Sequence, residues 1–104
     1  MIHVIAVIDL NPGTRDAFVG EMKKIVPLVK AENGCLEYGP AVDLASGAAD
    51  QLHLGENTVV VVEKWADLEA LNVHRNAQHM IDFRPKVKES VSYTHLTLPT
   101  IYSV

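Results

Sequence analysis

The sequence predicts one α+β domain in which helices pack on one face of an antiparallel sheet, in the order strand, helix, strand, strand, helix, strand. Three observations carry that prediction. Two aliphatic stretches, Ile2 to Leu10 and Thr58 to Trp65, have the composition of strands. Two others, from about 14 to 32 and from Leu68 to Val87, repeat apolar residues at helical spacing, and turn-forming runs separate all four.

In the first strand the set Ile2, Val4, Ala6, Ile8, Leu10 and the set His3, Ile5, Val7, Asp9 both contain aliphatic residues, so burial on both faces is expected. "NPGT" supplies a turn and a helix start, with Pro12 tolerable in a first turn and Thr14 or Asn11 as cap. Phe18, Met22, Ile25 and Val29 then mark the buried stripe of an amphipathic helix. Pro27 cannot donate to the carbonyl of Lys23, which predicts a kink or break.

"ENG" ends that helix, with Gly34 suited to a left-handed cap, and "CLEYGPAVDL" reads as the second strand. Its Gly39-Pro40 pair points to a bulge or an edge position. From Ala45 to Asn57 the composition is that of a long hairpin connection, the segment most expected to move and a candidate lid. Thr58 to Trp65 is the third strand. Asp67 can cap a helix beginning at Leu68, with Glu69 in its first turn where negative charge suits the dipole. A pause is expected at "RNAQ", with Asn76 as a second N-cap, before the pattern resumes through Met80, Ile81, Phe83 and Val87. Ser92 to Leu98 alternates as a fourth strand, which completes a ferredoxin-like βαββαβ order.

The bulk properties exclude several classes. Net charge is -4 and the nine basic residues are scattered, which is no nucleic-acid footprint. No apolar run approaches the roughly 20 residues of a membrane helix, and "MIHVIAVIDL" reads as a strand rather than a secretory signal, so a cytoplasmic protein is expected. Cys35 is the only cysteine, which excludes an intramolecular disulfide and any multi-thiolate metal centre within one chain. Without a visible cationic neighbourhood its thiol reads as buried and inert. Helices on one face of the sheet leave the other open, yet the first and third strands are aliphatic on both sides. A second copy of the chain, packed face to face, is the economical cover.

On the third strand Val59, Val61, Glu63 and Trp65 share one face. If that face meets the helices, Trp65 stands at the mouth of the intervening space, either as a packing anchor whose N–H finds a carbonyl or as a pocket wall. Glu63 is expected to pair with a basic residue or cap backbone rather than take a proton, because an unpaired buried carboxylate is costly. His74 is the strongest polar candidate, since a neutral imidazole can accept a proton near pH 7; the alternative is an exposed helix position. His79 would lie about 140° further around a continuous helix, so the two histidines share a face only if "RNAQ" breaks it. A helical zinc pair wants a spacing of four with further ligands, and no metal site is therefore expected. Tyr38, on the second strand with Leu36 and Val42, offers a hydroxyl for hydrogen bonding to a ligand or serves simply as an amphipathic wall residue. Phe18, Met22, Met80 and Phe83 serve as core and, in a cavity between helices and sheet, as its apolar lining.

Four stretches, "VIAVIDLNPG", "KIVPLVKAENGCLEYGPAVD", "VVVVEKWADLEALNVH" and "AQHMIDF", carry a family likeness. E-x-W closes a strand, a His follows nine residues after that Trp, and H-M follows five and six residues later. Together they resemble the antibiotic biosynthesis monooxygenase (ABM) domain family, nearest its bacterial quinol monooxygenase branch, from residue 2 to about 91. The resemblance implies a dimeric α+β barrel that oxidises a small quinol-like or phenolic aromatic with dioxygen as co-substrate and no metal, flavin or haem. It further implies that His74 or His79 takes a proton, that Tyr38 and Trp65 orient the ring, and that Glu63, Phe18, Met22, Met80 and Phe83 line its site. Haem binding or degradation, known on the same fold, would need an Asn on the first strand and a helical His, where Val7 and Arg84 stand here. A non-catalytic small-molecule-binding or signal-molecule-processing dimer is the remaining alternative. The domain spans residues 1–92. Residues 93–104, "YTHLTLPTIYSV", depart from the family's wording and resemble translated adapter sequence; they are a C-terminal strand or a non-native tail, and no site residue is placed there.

Overall fold

The computed structural model describes residues 1–96 and 101–102. Its strands are β1 (Ile2–Leu10), β2 (Cys35–Ala41), β3 (Thr58–Trp65), β4 (Val91–Leu96) and the two-residue β5 (Ile101–Tyr102). The helices are α1 (Arg15–Lys30), α2 (Leu68–Arg75) and α3 (Gln78–Val87). The sheet is antiparallel throughout in the order β2-β3-β1-β4, with β5 also on β1. This is the ferredoxin-like order that the sequence predicts. The fourth strand begins one residue earlier than expected, and the part of it assigned to residues 97–98 lies outside the described residues. Among the described residues no helix is long and apolar enough to cross a membrane.

Register decides which side chains meet. Ile2 lies opposite Trp65, Val4 opposite Glu63, Ala6 opposite Val61 and Ile8 opposite Val59, so one face of β1 and β3 forms a single inward surface. Against it α1 buries Phe18, Met22, Ile25 and Val29, α2 buries Leu71, and α3 buries Met80, Phe83 and Val87. Phe18 and Phe83 meet edge to face at 6.2 Å between centroids, which ties α1 to α3. The two-sided burial expected for β1 is not reached within one chain: Ile2, Val4, Ala6, Ile8 and Leu10 are buried, whereas Val7 is half-buried and Ile5 exposed.

Several local expectations are corrected. The first helix passes through Pro27 without a break. Pro27 and Lys23 are both exposed, so the backbone acceptor that proline leaves unmatched sits on the solvent side, where water can satisfy it. Thr14 is the N-cap of α1, as one of the two alternatives has it, but makes no side-chain cap bond; Thr14 Oγ1 donates to Asn11 O at 2.6 Å, and Asn11 Nδ2 donates to Glu89 O at 2.9 Å, which pins the turn to the end of α3. The second strand stops at Ala41, and its irregularity falls between Cys35 and Glu37 rather than at Gly39-Pro40. Pro40 does occupy an edge strand. Tyr38 is buried, while Leu36, at that irregularity, and Val42, beyond the end of the strand, are exposed, so the three do not share an environment. Asp67 caps α2 as expected, with Ala70 N–H donating to Oδ1 at 2.8 Å. The break at "RNAQ" occurs, but Asn76 closes α2 instead of opening α3, whose N-cap is Ala77.

Gly34 sets how closely the turn between α1 and β2 approaches α2. Its φ is +83°, and a Cβ there would lie 2.6 Å from the Cβ of Ala70, while its carbonyl accepts from Ala66 N–H at 2.8 Å. Ala70 has no flexible end to swing aside. The Gly34→Ala variant is therefore expected to lose about 3 kcal/mol, combining left-handed backbone strain with overpacking. Chemical denaturation measures it; a loss within 0.5 kcal/mol, about the scatter of ordinary surface substitutions, would refute the close approach.

Candidate active site

Between the inward sheet face and the helices lies a cavity of about 710 Å³, within the range of small-molecule sites. Val4, Ala6, Ile8 and Val61 line it from the sheet, Phe18 and Met22 from α1, Leu71 from α2, and Met80, Phe83 and Val87 from α3. All four apolar residues that the sequence assigns to the lining, Phe18, Met22, Met80 and Phe83, are thus in this wall, with Leu71 and Val61 added by the fold. Its inner polar groups are Tyr38, Glu63 and His74.

Glu63 and His74 belong to one polar cluster, against which the Tyr38 ring packs. The Trp65 indole N–H donates to Glu63 Oε1 at 3.0 Å, and the same oxygen lies 3.8 Å from His74 Nε2. On its other side the His74 ring donates from Nδ1 to Glu32 Oε2 at 2.9 Å, and His79 donates from Nε2 to that same oxygen at 2.8 Å. His74 packs against Trp65 at 4.5 Å between ring centroids and meets Tyr38 edge-on at 5.4 Å. Anchoring Nδ1 on a carboxylate leaves Nε2 as the acceptor turned toward Glu63 and the cavity.

Burial governs the electrostatics. It lifts the Glu63 carboxyl to about 7, helped by the negative charge of Glu32 and opposed by the Trp65 hydrogen bond and by Arg75. Burial also lowers His74 below the ordinary histidine range, although the Glu32 hydrogen bond pulls the other way, so the imidazole is neutral at pH 7. Tyr38 is raised by burial and by Glu63 and stays a neutral phenol, able to donate. Cys35 is half-buried rather than buried; burial and the nearby Glu32 and Glu63 raise its thiol, which keeps it unreactive.

The expected site residues separate into two layers. His74, Tyr38 and Glu63 line the cavity. Trp65 is 0% exposed and lies behind Glu63 rather than at the mouth, with a carboxylate rather than a carbonyl as its partner. His79 sits on the outer side of the cluster, its side chain 24% exposed against 5% for His74. Among the described residues Glu63 makes no ion pair with a lysine or arginine; its partners are the Trp65 indole and, at 3.8 Å, the His74 ring, because β3 carries it into the apolar interior. Thr94 of β4 also lines the cavity, so the C-terminal stretch does contribute to it.

The antibiotic biosynthesis monooxygenase family matches residues 1–86. The chain belongs to that family. It is 37% identical over 93 residues to the Escherichia coli (strain K12) protein named "Probable quinol monooxygenase YgiN", covering 88% of each chain. It is also 34% identical over 92 residues to YcnE of Bacillus subtilis (strain 168), covering 88% of this chain and 87% of YcnE. In fold it matches PA3566 of Pseudomonas aeruginosa with a TM-score of 0.79 at 24% identity, over 99% of this chain and 93% of that one. The protein is accordingly a monooxygenase of the ABM family.

Sequence reasoning missed Glu32, the residue on which both histidines converge. It lies 42 residues from His74, in a helix-ending "ENG" that signals only a turn. With Glu32 present the histidine pair has a third potential ligand: one atom from each residue falls within 4.8 Å of the others, a donor set that transition metals accept. The expectation that no further ligand exists is corrected to that extent, although the two histidine-to-carboxylate hydrogen bonds account for the arrangement by themselves. The donors for haem iron are absent at the two expected places. Val7 lies on the sheet face away from the cavity, and Arg84 offers no ligand atom.

Proposed function

We propose that this ABM monooxygenase is cofactor-independent and acts on a small phenolic or quinol-like aromatic with dioxygen. The observation that carries the reading is the Glu63–His74 pair, a buried carboxyl near pH 7 beside a neutral imidazole, at the wall of an otherwise apolar cavity. The name of the Escherichia coli relative points the same way. A phenolic hydroxyl loses its proton to this pair while Tyr38 donates to a ring oxygen. The resulting electron-rich ring passes one electron to dioxygen, and the two radicals couple at a ring carbon to form a C–O–O bond. O–O cleavage, with that carbon's hydrogen and the returned proton, leaves one oxygen as a carbonyl and the other in water. The substrate supplies every electron, so no external reductant is consumed. The protein positions the ring, holds the proton and excludes water.

The same reading places a second copy of the chain on the outer sheet face, where Val7, Val60 and Val62 stay half-buried within one chain. It also keeps the enzyme in the cytoplasm, where the lone Cys35 thiol remains reduced.

Oxygen uptake by the metal-stripped protein with anthrone or a reduced naphthoquinone tests the proposal. Uptake above the autoxidation rate, with a quinone and water as products, is expected. Activity that vanishes on chelation and returns with a metal would overturn cofactor independence and turn attention to Glu32, His74 and His79. Uptake equal to autoxidation with every hydroquinone and anthrone tried would overturn the reaction itself.

A further inference from the structure

We propose that the cavity selects an anionic aromatic, one whose ring enters the apolar interior while a carboxylate or comparable acidic group is held at the rim by Arg75, Arg84 and Lys88. This rests on the reading of the cavity as the substrate site. The chain carries a net charge of -4, yet three of its nine basic residues line this cavity together with one of its thirteen acidic residues. That inverts the sign of the surrounding surface and focuses a positive field on the opening.

The depth order fits a ligand with one charged end. Arg75, Arg84 and Lys88 are exposed, whereas Glu63 is buried. Charge is thus met at the rim and proton chemistry is left inside. Arg84 is also held in place: its Nη2 donates to Arg75 O at 2.7 Å, bridging the last turn of α3 to the end of α2 and leaving its other donors for a ligand. Cations in a last helical turn favour the dipole, and that accounts for Arg75 and Arg84 being there along the helices. It does not account for the side they face. Lys86, in the same last turn as Arg84, lines a different groove that also holds Glu21 and Asp82. Elsewhere Lys24 pairs with Glu21 at 3.0 Å and Lys64 with Glu37 at 2.8 Å. Among the described residues, Arg75, Arg84 and Lys88 make no ion pair, and a carboxylate is the ligand group that would complete them.

The test uses two redox-inert probes of one shape, 2-naphthoate and its neutral counterpart 2-naphthamide, titrated calorimetrically into the full chain. The anion is expected to bind at least tenfold more tightly at low salt, with the advantage shrinking as ionic strength rises. In the R75Q/K88Q double variant, which leaves the Arg84 bridge intact, the preference should fall toward parity while naphthamide affinity holds. Thermal melting confirms that the variant is folded. Equal affinity for the two probes, or a preference that survives in the variant, would overturn the proposal and leave the monooxygenase reading standing. Failure of both probes to bind would overturn the two together.

Discussion

Replacing His74 with Gln is expected to lower kcat at least about 100-fold, the usual contribution of a positioned acid–base group, with a much smaller change in KM. The amide keeps hydrogen-bonding capacity toward Glu32 and similar bulk, so the loss reports the missing imidazole rather than a collapsed wall. Steady-state oxygen uptake measures it. Full activity in H74Q would remove His74 from the chemistry and leave Glu63 as the sole base. Glu32→Gln supplies the companion measurement, because Glu32 acts through His74 and touches no substrate. Its hydrogen bond and charge raise His74 against the larger lowering effect of burial. Removing that charge is expected to move the His74 limb of the pH–rate profile to lower pH, which loss of packing alone would not do.

The Glu63→Gln variant is expected to change both rate and stability, with a sign that follows from burial. Glu63 in the folded protein titrates near 7 against an ordinary 4.5, so between those values the native state holds a proton that the unfolded chain has released. Stability from this group is complete below about pH 4.5 and is lost as pH rises through about 7. A shift of that size corresponds to roughly 3 kcal/mol. Gln keeps the neutral form at every pH and can still accept from the Trp65 indole. E63Q should therefore match the wild type near pH 4.5 and exceed its stability by roughly 3 kcal/mol at pH 8. The lowered His74 contributes a slope of opposite sign below its ordinary range, but it does so in both proteins and largely cancels in the difference. Denaturation across pH 4.5 to 8 reads this directly. In the same variant kcat/KM should fall and lose its rise through pH 7, because the carboxylate that accepts the proton is gone. Parallel stability curves for the two proteins would show that Glu63 is not held neutral by its surroundings.

Much of this site was legible along the chain because strands alternate and helices repeat. Period two puts Val59, Val61, Glu63 and Trp65 on one face of β3, and that face is the buried one. Helical spacing identifies Phe18, Met22, Met80 and Phe83, and all four line the cavity. Even the meeting of His74 with His79 depended on a readable feature, the polar "RNAQ" between two apolar periods, where the helix does break.

What periodicity does not reach is distance between elements. The Cys35–Glu37 irregularity, which separates Tyr38 from Leu36, follows from pairing with β3 and leaves no mark in "CLEYGPA". Trp65 is placed behind Glu63 rather than at an opening because β2 and β1 both pair with it, through Cys35 and Ile2.

By itself, then, the sequence determined the βαββαβ order, the inward face of each element and the family, since each depends on residue type at short and regular spacing. Tertiary structure alone decided that Glu32 meets His74 and His79, and that Glu63 is buried with no lysine or arginine partner among the described residues. It also decided that three basic residues gather at one rim. Those outcomes depend on how α1, α2, α3 and the sheet approach one another, for which the nearest local signal is a single glycine at Gly34, whose missing Cβ lets Ala70 come close.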